Sequence, residues 1–215
     1  MIEHTQYNKV ICLGSAPNMT LINSWDTSDI GIIGCNNVWK GTDKWDILIS
    51  PGDYPEKKFL KNKYNEQNYK QNNNKIYYPE KSEKSFRTAM MHFSKKGWHE
   101  SAMYLGPATY FALMYWSMYY VKPKYIGCLG LDMIYEPNNL GETHFYGKGY
   151  DMQVRGMPDL HYQIYKHFDG DFSVIDSFFE RLNNLKGETK IYNLSDNKKS
   201  ILPWEHLSIE EFKKL

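Results

Sequence analysis

Several groups of polar residues follow short apolar runs, and their residue types suit the binding of a phosphorylated ligand. The first group is the turn Gly14, Ser15, Ala16, Pro17 and Asn18. Glycine allows a sharp turn and a close approach of the backbone, and Asn18 can cap a following helix whose N-terminus attracts anions. The segment lacks the further glycines of a dinucleotide fingerprint and the lysine of a P-loop. An ordinary strand-to-helix turn is therefore the alternative.

The other groups supply amides and carboxylates. Asn36 and Asn37 close the second apolar run, and a side-chain amide can donate to and accept from a ribose hydroxyl or a base edge. Simple turn formation is the alternative for both. Asp53 follows the third run as either a turn residue or a site carboxylate. Asp132 follows the run that ends at Gly130, and an acid there suits a sugar hydroxyl, a divalent metal or a cap of the next segment.

The segment 136–158 is predicted to be a lid or an active-site loop. It is rich in glycine and asparagine and has no apolar period, and connections of this length are commonly functional. Within it, His144 is a candidate general base because imidazole titrates near neutrality. Tyr146, Lys148 and Arg155 are candidates for contact with phosphate oxygens, and solvated surface positions are the alternative for the two basic residues.

The elements that must position these residues follow from apolar periodicity. Short apolar runs predict strands at 9–14, 30–35, 45–50, 75–78, 124–130 and 190–194, and longer patterns predict helices at about 107–121 and 172–185. This order predicts one Rossmann-like α/β domain over residues 1–215, with a mostly parallel sheet and helices on both faces. Because ligands bind beyond the carboxyl ends of such strands, the polar groups are expected to converge at that edge.

Composition limits which partners the protein is expected to bind and where in the cell it is expected to lie. The formal net charge of +1 gives no general attraction to nucleic acid or to an acidic membrane surface. Cys12, Cys35 and Cys128 lie in predicted strands without metal-ligand spacing, which predicts buried thiols and a cytoplasmic location. The N-terminus is too polar for a signal peptide. The uncharged stretch 101–121 contains five tyrosines and Pro107, so a buried helix is predicted rather than a transmembrane segment.

The motifs at the strand ends resemble those of the bacterial sialyltransferases that use CMP-sialic acid and have a Rossmann-like fold. That family has Gly-Asn-Gly-Pro-Ser after its first strand, where this chain has Gly14-Ser15-Ala16-Pro17-Asn18. Its second strand ends in Cys-Asn, as in Cys35-Asn36. In the family, a later helix opens with a Ser-Gly pair, at the position of Leu105-Gly106 in this chain. The strand that follows this helix ends in Gly-Ile-Asp, which resembles Gly130-Leu131-Asp132. The resemblance runs in order from Lys9 to about Lys148.

The resemblance implies a glycosyltransferase that moves a sialic-acid-like sugar from a CMP-type donor to a glycan acceptor without a required cofactor. It places Asp132 near the sugar and His144 as the base toward the acceptor hydroxyl. It assigns the nucleotide site to Gly14, Ser15, Ala16, Pro17, Asn18, Asn36, Asn37 and Gly106. The chain departs from the family at Lys148, which occupies the position of the family's catalytic histidine, while His144 matches an earlier histidine.

Two other functions stay open from the sequence. The same motif order resembles the hydroxymethylpterin diphosphokinases of archaeal type, which transfer diphosphate from ATP. In that case Asp53 and Asp132 would hold magnesium beneath the triphosphate. The departure at Lys148 favours a third hypothesis, a non-catalytic relative that binds a nucleotide or a sugar. Homo-oligomerisation is left open by the sequence.

Overall fold

Runs of isoleucine, valine, leucine and cysteine that end in glycine or polar residues form the strands of a parallel sheet. The computed structural model describes residues 7–35, 37–49, 76–77, 109–132, 144–145 and 172–215. Within these ranges the strands are β1 (Lys9–Leu13), β2 (Gly31–Cys35), β3 (Ile47–Ile49), β4 (Ile76–Tyr77), β5 (Tyr125–Leu129), β6 (Lys190–Asn193) and β7 (Glu205–His206). They form one sheet in the order β4-β3-β2-β1-β5-β6-β7, and every neighbouring pair is parallel.

The central strand β1 is buried on both faces of the sheet. Its residues Val10 to Leu13 have no exposed surface. Val10 and Cys12 belong to one apolar cluster, and Ile11 and Leu13 belong to another, as expected for side chains that alternate across a strand. The core is therefore divided into two layers, one on each face of the sheet.

Helical segments cover both of these layers. Helix α1 (Thr109–Trp116) continues into a π-helical turn, Ser117–Val121, and helix α2 runs from Phe172 to Leu185. Both contribute buried side chains to the layer that contains Val10 and Cys12. The 3-10 helix Pro17–Ser24 and helix α3 (Ile209–Lys214) cover the layer on the other face. The predicted Rossmann-like α/β fold, with helices on both faces, is confirmed.

Three expectations about the elements need refinement. Each predicted strand is present but one to three residues shorter, and the two-residue strand β7 was not predicted. The segment after β1 is a 3-10 helix with Ala16 at its N-cap position and no side-chain cap, so the prediction that Asn18 caps it is wrong. Among the described residues, no helix combines the length and the apolar character needed to cross a membrane.

The three cysteines are free and buried, as predicted. The Cys12 sulfur lies 3.4 Å from the Ser117 hydroxyl of the π-helical turn. Burial raises the pKa of the Cys12 thiol and of the Cys35 thiol to about 12, and it also raises the pKa of Cys128. The thiols therefore remain neutral core groups rather than reactive thiolates at physiological pH.

Candidate active site at the switch point of the sheet

The carboxyl ends of β1 and β5 form the point at which the order of the strands reverses. β1 lies between β2 and β5, and the chain continues from β1 toward one edge of the sheet and from β5 toward the other. Leu13 and Leu129 are paired at the ends of the two strands. In open α/β sheets a crevice at this position binds ligands.

Two glycine turns meet closely at this point. The Gly14 amide donates to the Leu129 carbonyl at 2.9 Å, and the Ala16 amide donates to the Gly130 carbonyl at 3.0 Å. A Cβ atom on Gly14 would lie 2.1 Å from the Gly130 carbonyl oxygen, so a side chain has no room there. Gly130 itself has a φ of 69°, in the left-handed region. The two amides are thus bonded to the end of β5, and a phosphate would have to be held by other groups of the turn.

A cluster of polar side chains, which we call the strand-end cluster, joins β1, β5 and β6 beside these turns. It consists of Asn18, Asp132, Asn193, Ser195 and Ser200. The Asn18 amide nitrogen donates to Asp132 Oδ2 at 2.9 Å and also to the Ser195 hydroxyl. The Asn193 side chain accepts from the Ser195 amide at 2.9 Å and donates to the Ser200 hydroxyl at 3.2 Å. The cluster thereby connects the first turn with the segment that follows β6.

Asp132 is the carboxylate of this cluster, and only 2% of its surface is exposed. Burial is the main cause that raises its pKa, and the polar groups of Ser195, Ser200, Asn18 and Asn197 lower the pKa in part. Among the described residues, the groups that affect this pKa most are neutral amides and hydroxyls. The carboxyl group therefore lies in a neutral, enclosed environment, which disfavours its ionised form.

The described part of segment 136–158, His144 and Phe145, contacts the first turn directly. The Phe145 amide donates to the Ser15 carbonyl at 3.0 Å, and the Phe145 ring lies against Gly41. His144 and Phe145 are both half-buried. Through this contact the backbone at His144, which was predicted to carry the base, is held beside the turn predicted to bind the nucleotide.

The structure thus brings together the turn, Asp132 and His144. Asn37 lies two residues after Cys35, the last residue of the neighbouring strand β2. It is 3% exposed and accepts a hydrogen bond from the Lys40 amide through its carbonyl. The remaining predicted site residues lie outside the described ranges: Asn36, Asp53, Gly106, Tyr146, Lys148 and Arg155.

Sequence reasoning missed Asn193 and Ser195 as members of this arrangement. Both lie at the end of β6, which was itself predicted as a strand. The rule that polar residues beyond strand ends converge at one edge could have identified them. Asn18, which bonds to Ser195, has a residue type that fits the N-cap of the following helix, so its sequence context does not indicate a long-range partner.

Metal ligation is not indicated by the described residues, which contain no group of three or more His, Cys, Asp or Glu side chains close enough to share an ion. Asp53, the second ligand of the magnesium hypothesis, lies outside them. The side chains nearest to Asp132 are amides and hydroxyls, which are weaker ligands for magnesium than additional carboxylates.

A cleft of about 450 Å³ lies at the opposite, amino end of the sheet. Its polar groups serve the fold. The Lys44 ammonium donates to the carbonyls that end the 3-10 helix, those of Ile22, Asn23 and Trp25. The Asp46 carboxylate accepts from the Ile32 amide at 2.8 Å. The candidate site therefore remains at the carboxyl ends of β1 and β5.

Comparisons with known proteins give matches among solved structures. No protein-family profile matches the chain, and no curated protein matches it. The sialyltransferase CstII from Campylobacter jejuni, in complex with the substrate analogue CMP-3FNeuAc, matches with a TM-score of 0.51 and 15% identity, over 93% of this chain and 85% of that chain. CstII in complex with cytidine-5'-monophosphate matches with a TM-score of 0.51 and 14% identity, over 95% and 86% of the two chains.

A third match is the monofunctional α-2,3-sialyltransferase Cst-I from the same organism, with a TM-score of 0.50 and 14% identity, over 95% of this chain and 82% of that chain. At these identities the similarity establishes the fold. The chain has a sialyltransferase-like Rossmann fold, in agreement with the resemblance of its strand-end motifs. These structures lend no support to the likeness to diphosphokinases.

Proposed function

We propose that the protein is a glycosyltransferase that moves a sialic-acid-like sugar from a CMP-type donor to a glycan acceptor. The observation that supports this proposal is the convergence of the Gly14–Asn18 turn and the His144 segment at the switch point of the sheet. The overall fold is similar to that of a sialyltransferase solved in complex with CMP-3FNeuAc and with cytidine-5'-monophosphate, which supports the proposal.

In the proposed reaction the oxygen of an acceptor hydroxyl attacks the anomeric carbon of the donor sugar. The bond from this carbon to the phosphate oxygen breaks, and CMP leaves with the electron pair. His144 is the candidate for the base that takes the acceptor proton. Tyr146, Lys148 and Arg155, which belong to the same predicted segment, are candidates for stabilising the leaving phosphate.

The nucleotide itself is proposed to bind along the ends of β1 and β2. Ser15 offers a hydroxyl in the turn, and Asn36 and Asn37 offer amides that can recognise ribose or the base. Gly106 is proposed to admit the nucleotide closely at the start of the segment that leads into α1. The near-neutral net charge gives no global field, so the phosphate must be recognised by such local groups.

A nucleotide panel tests the proposal. Thermal unfolding of the full chain is measured with CMP, UMP, AMP and GMP, and with ATP in the presence and absence of magnesium. We expect CMP to raise the melting temperature most, because the proposed site binds a CMP-type donor. A ligand at about 100 times its Kd stabilises the native state by about 2.7 kcal/mol. No shift with millimolar CMP would refute the proposal, and a shift only with ATP and magnesium would favour the diphosphokinase hypothesis.

A further inference from the structure

The strand-end cluster connects the Gly14–Asn18 turn, through side chains, with the segments that follow β5 and β6. The 3-10 helix after the turn begins without a side-chain cap, and Pro17 at its first position cannot donate a backbone hydrogen bond. The Asn18 side chain is held instead by Asp132 and Ser195, which are 114 and 177 residues away along the chain. The position of the turn is therefore determined by the ends of other strands.

We propose that Asp132 and Ser195 are positioning residues that hold the Gly14–Asn18 turn, through the Asn18 side chain, in the conformation that receives the donor nucleotide. This inference rests on the proposed function for its ligand. Asp132 is 2% exposed, and its Oδ2 atom accepts a hydrogen bond from the Asn18 amide nitrogen. An enclosed side chain of this kind acts on a ligand through its neighbour rather than by contact.

Two buried oxygen atoms of the cluster bear on the protonation state of Asp132. Asn18 Oδ1 and Asp132 Oδ1 are inaccessible to solvent, and neither has a hydrogen-bond donor among the described residues. Both atoms belong to the pair of side chains that is joined by the Asn18 amide nitrogen and Asp132 Oδ2. An ionised carboxylate can only accept hydrogen bonds, whereas a protonated one carries a single donor. Protonation of Asp132 would give this pair of side chains one further donor, which the ionised form cannot provide.

The surroundings of Asp132 favour this neutral form. The groups that face it from β1 and from the segment after β6 are neutral amides and hydroxyls, those of Asn18, Ser195, Asn197 and Ser200. The titratable group that couples to it from β5 is the Cys128 thiol, which is buried and itself neutral. Burial raises the pKa of Asp132, which favours the protonated form of the carboxyl group.

The test compares CMP affinity, measured by calorimetry on the full chain, for Asp132→Ala, Asp132→Asn and Ser195→Ala. Loss of the carboxyl group in Asp132→Ala is expected to weaken CMP binding about tenfold, and Ser195→Ala roughly three- to tenfold, the equivalent of one lost hydrogen bond. Asp132→Asn keeps one acceptor and gains a permanent donor, so it should restore most of the affinity that Asp132→Ala loses.

The pH dependence distinguishes this role from a merely structural one. The folded-state pKa of Asp132 lies above its unfolded value of about 3.9, so its contribution is complete below that value and is lost as the pH rises through the folded pKa. Asparagine does not titrate. The ratio of wild-type to Asp132→Asn affinity should therefore fall as the pH rises from about 3.9 through the raised pKa of Asp132. Taking this ratio cancels pH effects that are common to both proteins.

Asp46→Ala is the matched control, because Asp46 also accepts a hydrogen bond inside the fold but lies at the opposite end of the sheet. It should lower stability without changing CMP affinity. If the wild type binds CMP and the Asp132 and Ser195 variants bind it equally well, the positioning role is refuted. If the wild type binds no CMP, the proposed function fails. The positioning role is then judged by thermal unfolding without ligand, where equal pH profiles for wild type and Asp132→Asn would refute it.

Discussion

Gly14 and Gly130 show at the scale of single residues why the two turns of the crevice can lie together. A Cβ atom on Gly14 would lie 2.1 Å from the Gly130 carbonyl oxygen, and a Cβ atom on Gly130 would lie 3.0 Å from the Gly14 carbonyl oxygen. The hydrogen bonds of Gly14 and Ala16 to the end of β5 depend on this close approach. Small residues here are a requirement of the site as well as of the fold.

Gly14→Ala is expected to destabilise the protein by about 1–3 kcal/mol, since the added methyl group would meet the Gly130 carbonyl and force the backbone apart. Denaturant unfolding measures the change. Gly187→Asn is the control: Gly187 has a φ of 60° with no atom near its Cβ position, and asparagine tolerates this conformation. A fully stable Gly14→Ala protein would contradict the packing described for the two turns.

His144→Ala tests the proposed base. Removing a general base lowers the rate of the chemical step by about a hundredfold or more, while the affinity for CMP should stay unchanged. Release of CMP from CMP-sialic acid in the presence of a glycan acceptor measures the rate. Lys148→Ala is measured in parallel, because Lys148 takes the place of the catalytic histidine in the resemblance. Wild-type binding of CMP without any release would favour the non-catalytic hypothesis instead.

At the scale of elements, the sheet and its covering helices determine the chemistry of the side chains that they enclose. Cys12 lies on β1, Cys35 on β2 and Cys128 on β5, and all three face the layer that is covered by α1 and α2. The same layer contains Tyr110 and Phe179, whose ring centres lie 5.7 Å apart. Thiol reactivity therefore reports on the integrity of this layer.

We expect none of the three thiols to react with a disulfide reagent at about pH 8 in the native protein, and all three to react after unfolding. The folded-state pKa of Cys12 and Cys35 is about 12, above the unfolded value of about 8.5. The stabilising contribution of the neutral thiols is thus complete below pH of about 8.5 and is lost as the pH rises toward 12. Rapid labelling of the native protein would contradict the described packing.

At the scale of the whole molecule, the parallel α/β fold could be predicted from the sequence because its strands are local apolar runs. The pair Glu205–His206 could not, since two polar residues at the edge of a sheet carry no apolar period. The role of Asn18 could not be predicted either. Its residue type fits a helix cap locally, but its partners come from two later strands, and local preference carries no information about them.

The pairing of β1 with β5 has a consequence for the synthesis of the protein. Lys9 pairs with Tyr125, so more than half of the chain must leave the ribosome before β1 can gain its second neighbour. Until then one edge of a strand that is apolar from Val10 to Leu13 stays open to other chains. Pairings of such long sequence separation also form slowly. The nascent chain is thus most exposed to aggregation between the completion of β2 and the arrival of β5.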